Sequence, residues 1–73
     1  MLSETEKIVL DIINERSLIT KTELLEAIKK PNGVALIAAK NLVNKGLVQI
    51  LYPMGEASFA ITQKGFKYLE GKL

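Results

Sequence analysis

The chain has no cysteine and no histidine. Without thiols there is no disulfide framework and no thiolate metal site. Without imidazoles, most remaining zinc and transition-metal sites go too, together with general acid-base catalysis by histidine. Aspartate is nearly as scarce, Asp11 being the single one, and the glutamates fall at positions that read as helix surfaces. A catalytic centre would have to be built almost without catalytic residue types, so the sequence reads as a non-enzyme with no metal and no cofactor. There is no tryptophan beside two phenylalanines and two tyrosines, which leaves an aliphatic core. No apolar run approaches the roughly 20 residues of a membrane span, and the start, MLSETEK, is acidic where a signal peptide is basic. Both features lead to the expectation of a cytoplasmic protein.

What is present fits one small domain over residues 1–73, of a size that buries only about 60% of its unfolded surface. An apolar fraction of 48% with 25% charged residues is that of a globular chain, not a disordered one. The net charge of +2 hides an asymmetry: residues 1–28 carry six acids against three bases, and residues 29–73 carry seven lysines against Glu56 and Glu70. So polarised a chain can turn a basic face to nucleic acid, although small soluble domains often carry uneven charge.

Ser3 with Glu6 spells a capping box, the serine oxygen accepting from the Glu6 amide and the glutamate reaching back. Ile8, Val9, Ile12 and Ile13 then recur at helical spacing, predicting an amphipathic first helix that ends near Arg16. Ser17, Leu18 and Ile19 follow as a short extended connector able to add a rung to a small sheet. Thr20 with Glu23 spells a second capping box. The second helix is expected from Lys21 to Lys30, burying Leu24, Leu25 and Ile28, with Lys29 and Lys30 at the negative end of its dipole until Pro31 stops it.

Asn32 and Gly33 are expected to form a tight turn, Asn32 also capping a third helix from Val34 to Lys45 that Gly46 closes in a left-handed conformation. LVQILY, residues 47 to 52, alternates as a strand with Val48, Ile50 and Tyr52 on one face. Pro53, Met54, Gly55 and Glu56 make a turn, and Ala57 to Ile61 return with Phe59 and Ile61 pointing the same way. Thr62 caps a last short helix whose Phe66 and Leu69 are expected to dock on the domain, with Lys64 and Lys67 outward.

This order resembles the winged helix-turn-helix family: an α+β, mostly α fold with a three-helix core, a short first strand, a two-stranded hairpin wing and a short C-terminal helix. LVNKGLV, residues 42 to 48, looks like the end of the family's recognition helix, and ITQKGFKYL, residues 61 to 69, is similar to its last strand running into the closing helix. The likeness is greatest to compact archaeal and bacterial members related to the MarR and TrmB regulators. It implies a DNA-binding transcription regulator or chromatin-associated factor, with the third helix in the major groove and the wing touching phosphate or the minor groove.

On a helical wheel, Ala35, Ala38, Ala39, Leu42 and Val43 share the core side of the third helix, while Val34, Ile37, Lys40, Asn41, Asn44 and Lys45 lie opposite. Three readings of that outward side stay open. In the first it meets double-stranded DNA: Asn41 or Asn44 on an adenine edge, Ile37 or Val34 on a thymine methyl, Lys40 and Lys45 on phosphates, with a leaning to A·T-rich sites. In the second, Val34 and Ile37 only widen the apolar stripe. In the third, an apolar centre with a polar rim meets a protein partner, the hairpin edge being another such surface. RNA binding by the basic half is a further alternative.

Between Leu47 and Ile61 there is no Lys or Arg, and the turn carries Glu56. Cationic support therefore falls to Lys29 and Lys30 before the turn, or to Lys64 and Lys67 after the hairpin, with Asn32 of the turn a further expected DNA contact. Tyr68 and Leu73 read as lying off the core face of the last helix, where they would support a homodimer.

Overall fold

The computed structural model describes residues 2–53 and 55–71; Met54 of the expected turn and Leu73 of the expected dimer face lie outside them. The elements follow in the order α1 (Glu4–Arg16), β1 (Leu18–Thr20), α2 (Lys21–Ala27), α3 (Asn32–Asn44), β2 (Val48–Leu51), β3 (Ser58–Ile61) and α4 (Gln63–Leu69). Both capping boxes form. Ser3 Oγ accepts from Glu6 N and Glu6 Oε1 from Ser3 N, each at 3.1 Å, and Thr20 and Glu23 repeat the exchange at 3.1 and 3.0 Å. Helix α1 stops at Ser17, which takes φ +66°, an uncommon conformation for a residue with a side chain. There it hands the chain to β1.

Helix α2 is shorter than the sequence pattern suggests. Ile28 leaves the helix with an extended backbone and sends its side chain into the core, and Pro31 disfavours helical geometry at the residue before it. Lys29 and Lys30 consequently lie beyond the helix and do not compensate its dipole. Helix α3 in turn begins earlier: Pro31 is its N-cap, without a side-chain cap bond, and Asn32 and Gly33 are its first turn, not a separate turn. Proline suits this place, since a first-turn amide has no partner within the helix to lose.

The far end of α3 is as expected. Gly46 has φ +77°, the Leu47 amide donates to the Leu42 carbonyl at 3.0 Å and the Gly46 amide to Val43 at 2.9 Å. These two bonds are a Schellman cap. Leu47 is thereby buried with Leu42, on the core side that strand alternation alone would deny it.

The three strands form an antiparallel sheet in the order β1-β3-β2. Ile19, Phe59 and Ile50 make one rung across it and face the helices, Ile19 and Phe59 fully and Ile50 partly buried. Tyr52 lies past the end of β2 and is 66% exposed. Alternation does not carry it into the core.

Val9, Leu10, Ile13, Ile19, Leu24, Leu42 and Val48 are completely enclosed, each contributing about 1.5–3 kcal/mol of transfer free energy. The small side chains Ala35, Ala38 and Ala39 sit on the core face of α3, which packs chiefly against α1.

Helix α4 is turned differently from expectation. Gly65 is buried, and a Cβ there would collide with the Leu47 carbonyl oxygen and lie 3.0 Å from Ile61 Cγ1. The face carrying Gly65 must therefore be the inner one. Tyr68 and Leu69, three and four residues on, pack against the core, while Phe66 is left 47% exposed. Tyr68 thus packs against the core and does not lie off its face.

Candidate nucleic-acid interface

The outer side of α3 is open along its length. Asn32, Gly33, Val34, Ile37, Lys40, Asn44 and Lys45 are exposed, Ile37 at 63% and Val34 at 44%. Neither apolar residue is part of the core. That disposes of the reading in which they only widen the buried stripe. Lys29 is exposed and Lys30 half-buried in the segment before Pro31, so both flank the N-terminal end of the helix. Lys64 is at the other end, its Cδ and Nζ each 3.8 Å from where a Cβ of Gly46 would stand.

Asn41 and Lys45 are held from below. Asn41 Nδ2 donates to Glu6 Oε2 at 3.0 Å, and Lys45 Nζ donates to Glu6 Oε1 at 3.0 Å. With the Ser3 amide, the Glu6 carboxylate accepts three hydrogen bonds while only 7% exposed. The bond from Lys45, then that from Asn41, then that from Ser3 hold its pKa below the ordinary glutamate value of 4.5, against the opposing effect of burial. Glu6 was legible as half of a capping box but not as a buried residue. Its partners stand 35 and 39 positions away, and no local pattern announces a pairing at that range.

Glu56, the acid of the wing, also has a partner. It accepts from the Thr22 amide at 3.3 Å and from Thr22 Oγ1 at 2.7 Å, while the Ala57 carbonyl accepts from the Lys21 amide at 2.8 Å. With Thr20 Oγ1 on the Glu23 amide, the first three amides of α2 are satisfied, two of them by the wing. A carboxylate is favoured at this positive end of a helix. The acid in the turn of the wing is a cap for α2.

The two phrases that carried the family resemblance touch each other. Thr62 Oγ1 donates to the Gly46 carbonyl at 2.7 Å, the Thr62 amide to the Leu47 carbonyl at 3.2 Å, and Val48 pairs with Ile61 across the sheet. Gly65 closes over the same carbonyl. This joint fixes where the wing leaves the end of α3.

No protein-family model matches the sequence, and no curated protein does. Solved structures match in shape. A mutant of MarR from E. coli gives a TM-score of 0.88 at 23% identity, covering 97% of this chain and 54% of its own. BpsR of Bordetella bronchiseptica, whose DNA binding is regulated by 6-hydroxynicotinic acid, gives 0.88 at 12% identity over 99% of this chain and 53% of its own. The fold is a MarR-like winged helix. A DNA-binding protein from Sulfolobus islandicus gives 0.69 at 21% identity and is matched over 98% of its length by 85% of this chain. The winged helix here thus spans about half the length of the MarR-type structures it matches.

Among the described residues no helix is long and apolar enough to cross a membrane, and no three carboxylates converge on a metal-sized site. A groove of about 290 Å³ lies between the start of α1 and the outer side of α3, bordered by Thr5, Glu6, Val34, Ile37 and Asn41.

Proposed function

We propose that this winged helix binds double-stranded DNA by laying the outer side of α3 in the major groove, and that it serves as a non-catalytic regulator of transcription or a chromatin-associated factor. The observation that carries this is the open face of α3, on which Ile37, Lys40 and Asn44 are exposed at successive turns of a helix backed by a complete core. An apolar side chain beside amide and ammonium donors suits thymine methyls, adenine edges and phosphates together, which favours A·T-rich sites. The shared fold of proteins described as DNA-binding adds support.

Lys29, Lys30, Lys40 and Lys64 would neutralise phosphates, Asn32 and Val34 would approach the backbone and groove edge, and the wing would add no cation. Four phosphate contacts give a slope of log affinity against log salt near −4. Binding of an A·T-rich duplex, titrated by fluorescence anisotropy across salt, tests this. Lys40→Ala is expected to make the slope shallower by about one unit. A flat slope, or no binding at low salt, ends the DNA reading.

One observation favours a second reading, a protein contact. Ile37 is more exposed than any other residue of α3's apolar set and borders the groove against α1, an arrangement of apolar centre and polar rim found at interfaces. Under that reading Ile37→Asp abolishes partner capture and leaves salt-dependent DNA binding absent throughout.

A further inference from the structure

The outer side of α3 consists of two stripes. Val34, Ile37, Asn41 and Lys45 succeed one another at steps of three or four. This stripe borders the start of α1 in its first three members and is bonded to Glu6 in its last two. Gly33, Ile37, Lys40 and Asn44 form the other, and all four are exposed. Ile37 belongs to both. Every polar side chain of the first stripe is bound, whereas Lys40 and Asn44 make no hydrogen bond or ion pair within the described residues.

We propose that Glu6 is a positioning residue for DNA recognition: its buried carboxylate withdraws Lys45 from the phosphates and fixes the Asn41 carboxamide, while Lys40 and Asn44 stay free on the neighbouring stripe. This deepens the DNA reading and rests on it. Glu6 is enclosed, its side chain 9% exposed against 42% for that of Lys45. A carboxylate in that position relies on its donors, and moving Lys45 to a phosphate would remove the charged one. Asn41 is constrained in a second way. An ionised carboxylate only accepts, so Nδ2 and not Oδ1 must face Glu6. The oxygen of Asn41 then remains as an acceptor, suited to the amino group of adenine or cytosine in the major groove. Glu6 thereby sets both how many phosphates are held and which edge of the Asn41 amide is offered.

The test is the salt dependence of binding to a fluorescein-labelled A·T-rich duplex by the wild type, Glu6→Gln, Lys45→Gln, the double variant and Glu4→Gln. Glu4 is an exposed acid in the same helical turn and controls for charge alone. Lys45→Gln is expected to leave the slope unchanged. Glu6→Gln frees Lys45, steepens the slope by about 0.9 and tightens binding roughly five- to tenfold at 0.1 M salt; adding Lys45→Gln reverses that gain, and Glu4→Gln does not reproduce it. A shallower slope for Lys45→Gln alone, or equal effects of Glu6→Gln and Glu4→Gln, overturns the proposal. If circular dichroism shows Glu6→Gln unfolded, the Lys45→Gln slope decides. Wild-type binding with unaltered slopes in every variant defeats this inference alone, whereas no duplex binding by any variant at low salt defeats the DNA reading beneath it.

Discussion

Two joints hold the candidate reading surface in place, and they are built differently. At the α1–α3 joint a buried glutamate, Glu6, gathers a backbone amide, an asparagine and a lysine around one carboxylate. At the wing, the base is a close backbone contact, Gly65 on the Leu47 carbonyl, and the tip is an exposed glutamate, Glu56, on the first turn of α2. The first joint is electrostatic and enclosed. The second is steric at one end and solvent-screened at the other. Removing atoms should therefore damage the first, adding atoms should damage the base of the second, and the tip should tolerate either.

The largest effect is expected from Gly65→Ala. The added methyl has backbone as its neighbour, which cannot swing aside, so the loss should be about 3 kcal/mol, read as a fall in Tm of roughly 15 °C. Gly33→Ala is the matching control, because nothing lies within 4 Å of a Cβ there; it should raise stability by about 0.5–1 kcal/mol. A destabilised Gly33→Ala would show that glycine matters in this chain for some reason other than space.

Next comes Glu6→Ala, which removes half of a capping box and strands Asn41 and Lys45, at a cost of about 2 kcal/mol in urea denaturation. The same residue makes stability pH-dependent. Its folded pKa lies below the unfolded value of 4.5, so its contribution is complete above 4.5 and is lost as pH falls through the lower folded value. Glu23 shifts the same way, chiefly through its bonds with Thr20. An acid titration of Glu6→Gln should thus show a weaker decline in stability below pH 4.5 than the wild type, and parallel curves would remove Glu6 as a source of it.

Glu56→Gln should cost about 0.5 kcal/mol or less, since the amide oxygen can still accept from Thr22 and the site is exposed. Ile37→Asp, on the open face of α3, should change stability by no more than about 0.5 kcal/mol. A large loss there would place Ile37 in the core after all.

The sequence was most readable where the signal is local. Ser3 with Glu6 and Thr20 with Glu23 named two helix starts, Gly46 named a helix end, and the wheel separated Ala35, Ala38, Ala39 and Leu42 from Ile37 and Lys40, because each depends on neighbours within a turn or two. The readings that failed were of the same kind. Lys29 and Lys30 looked like the end of a helix because they precede a proline, but burial of Ile28 ended α2 earlier. Phe66 looked like a core residue by its spacing from Leu69, yet Gly65 fixes the inner face of α4, which keeps Leu69 there and puts Tyr68 beside it in place of Phe66.

Alone, then, the sequence determined the order of the elements, most of their ends and the side of α3 that would be buried, since these follow from capping chemistry and periodicity along the chain. Tertiary structure decided what each carboxylate does and which polar residues of α3 stay free. Glu6 meets Asn41 and Lys45, and Glu56 meets Thr22, only when elements far apart in sequence pack together. A carboxylate's partners are set by that packing, because hydrogen bonds act over about 3 Å of space and not over sequence distance.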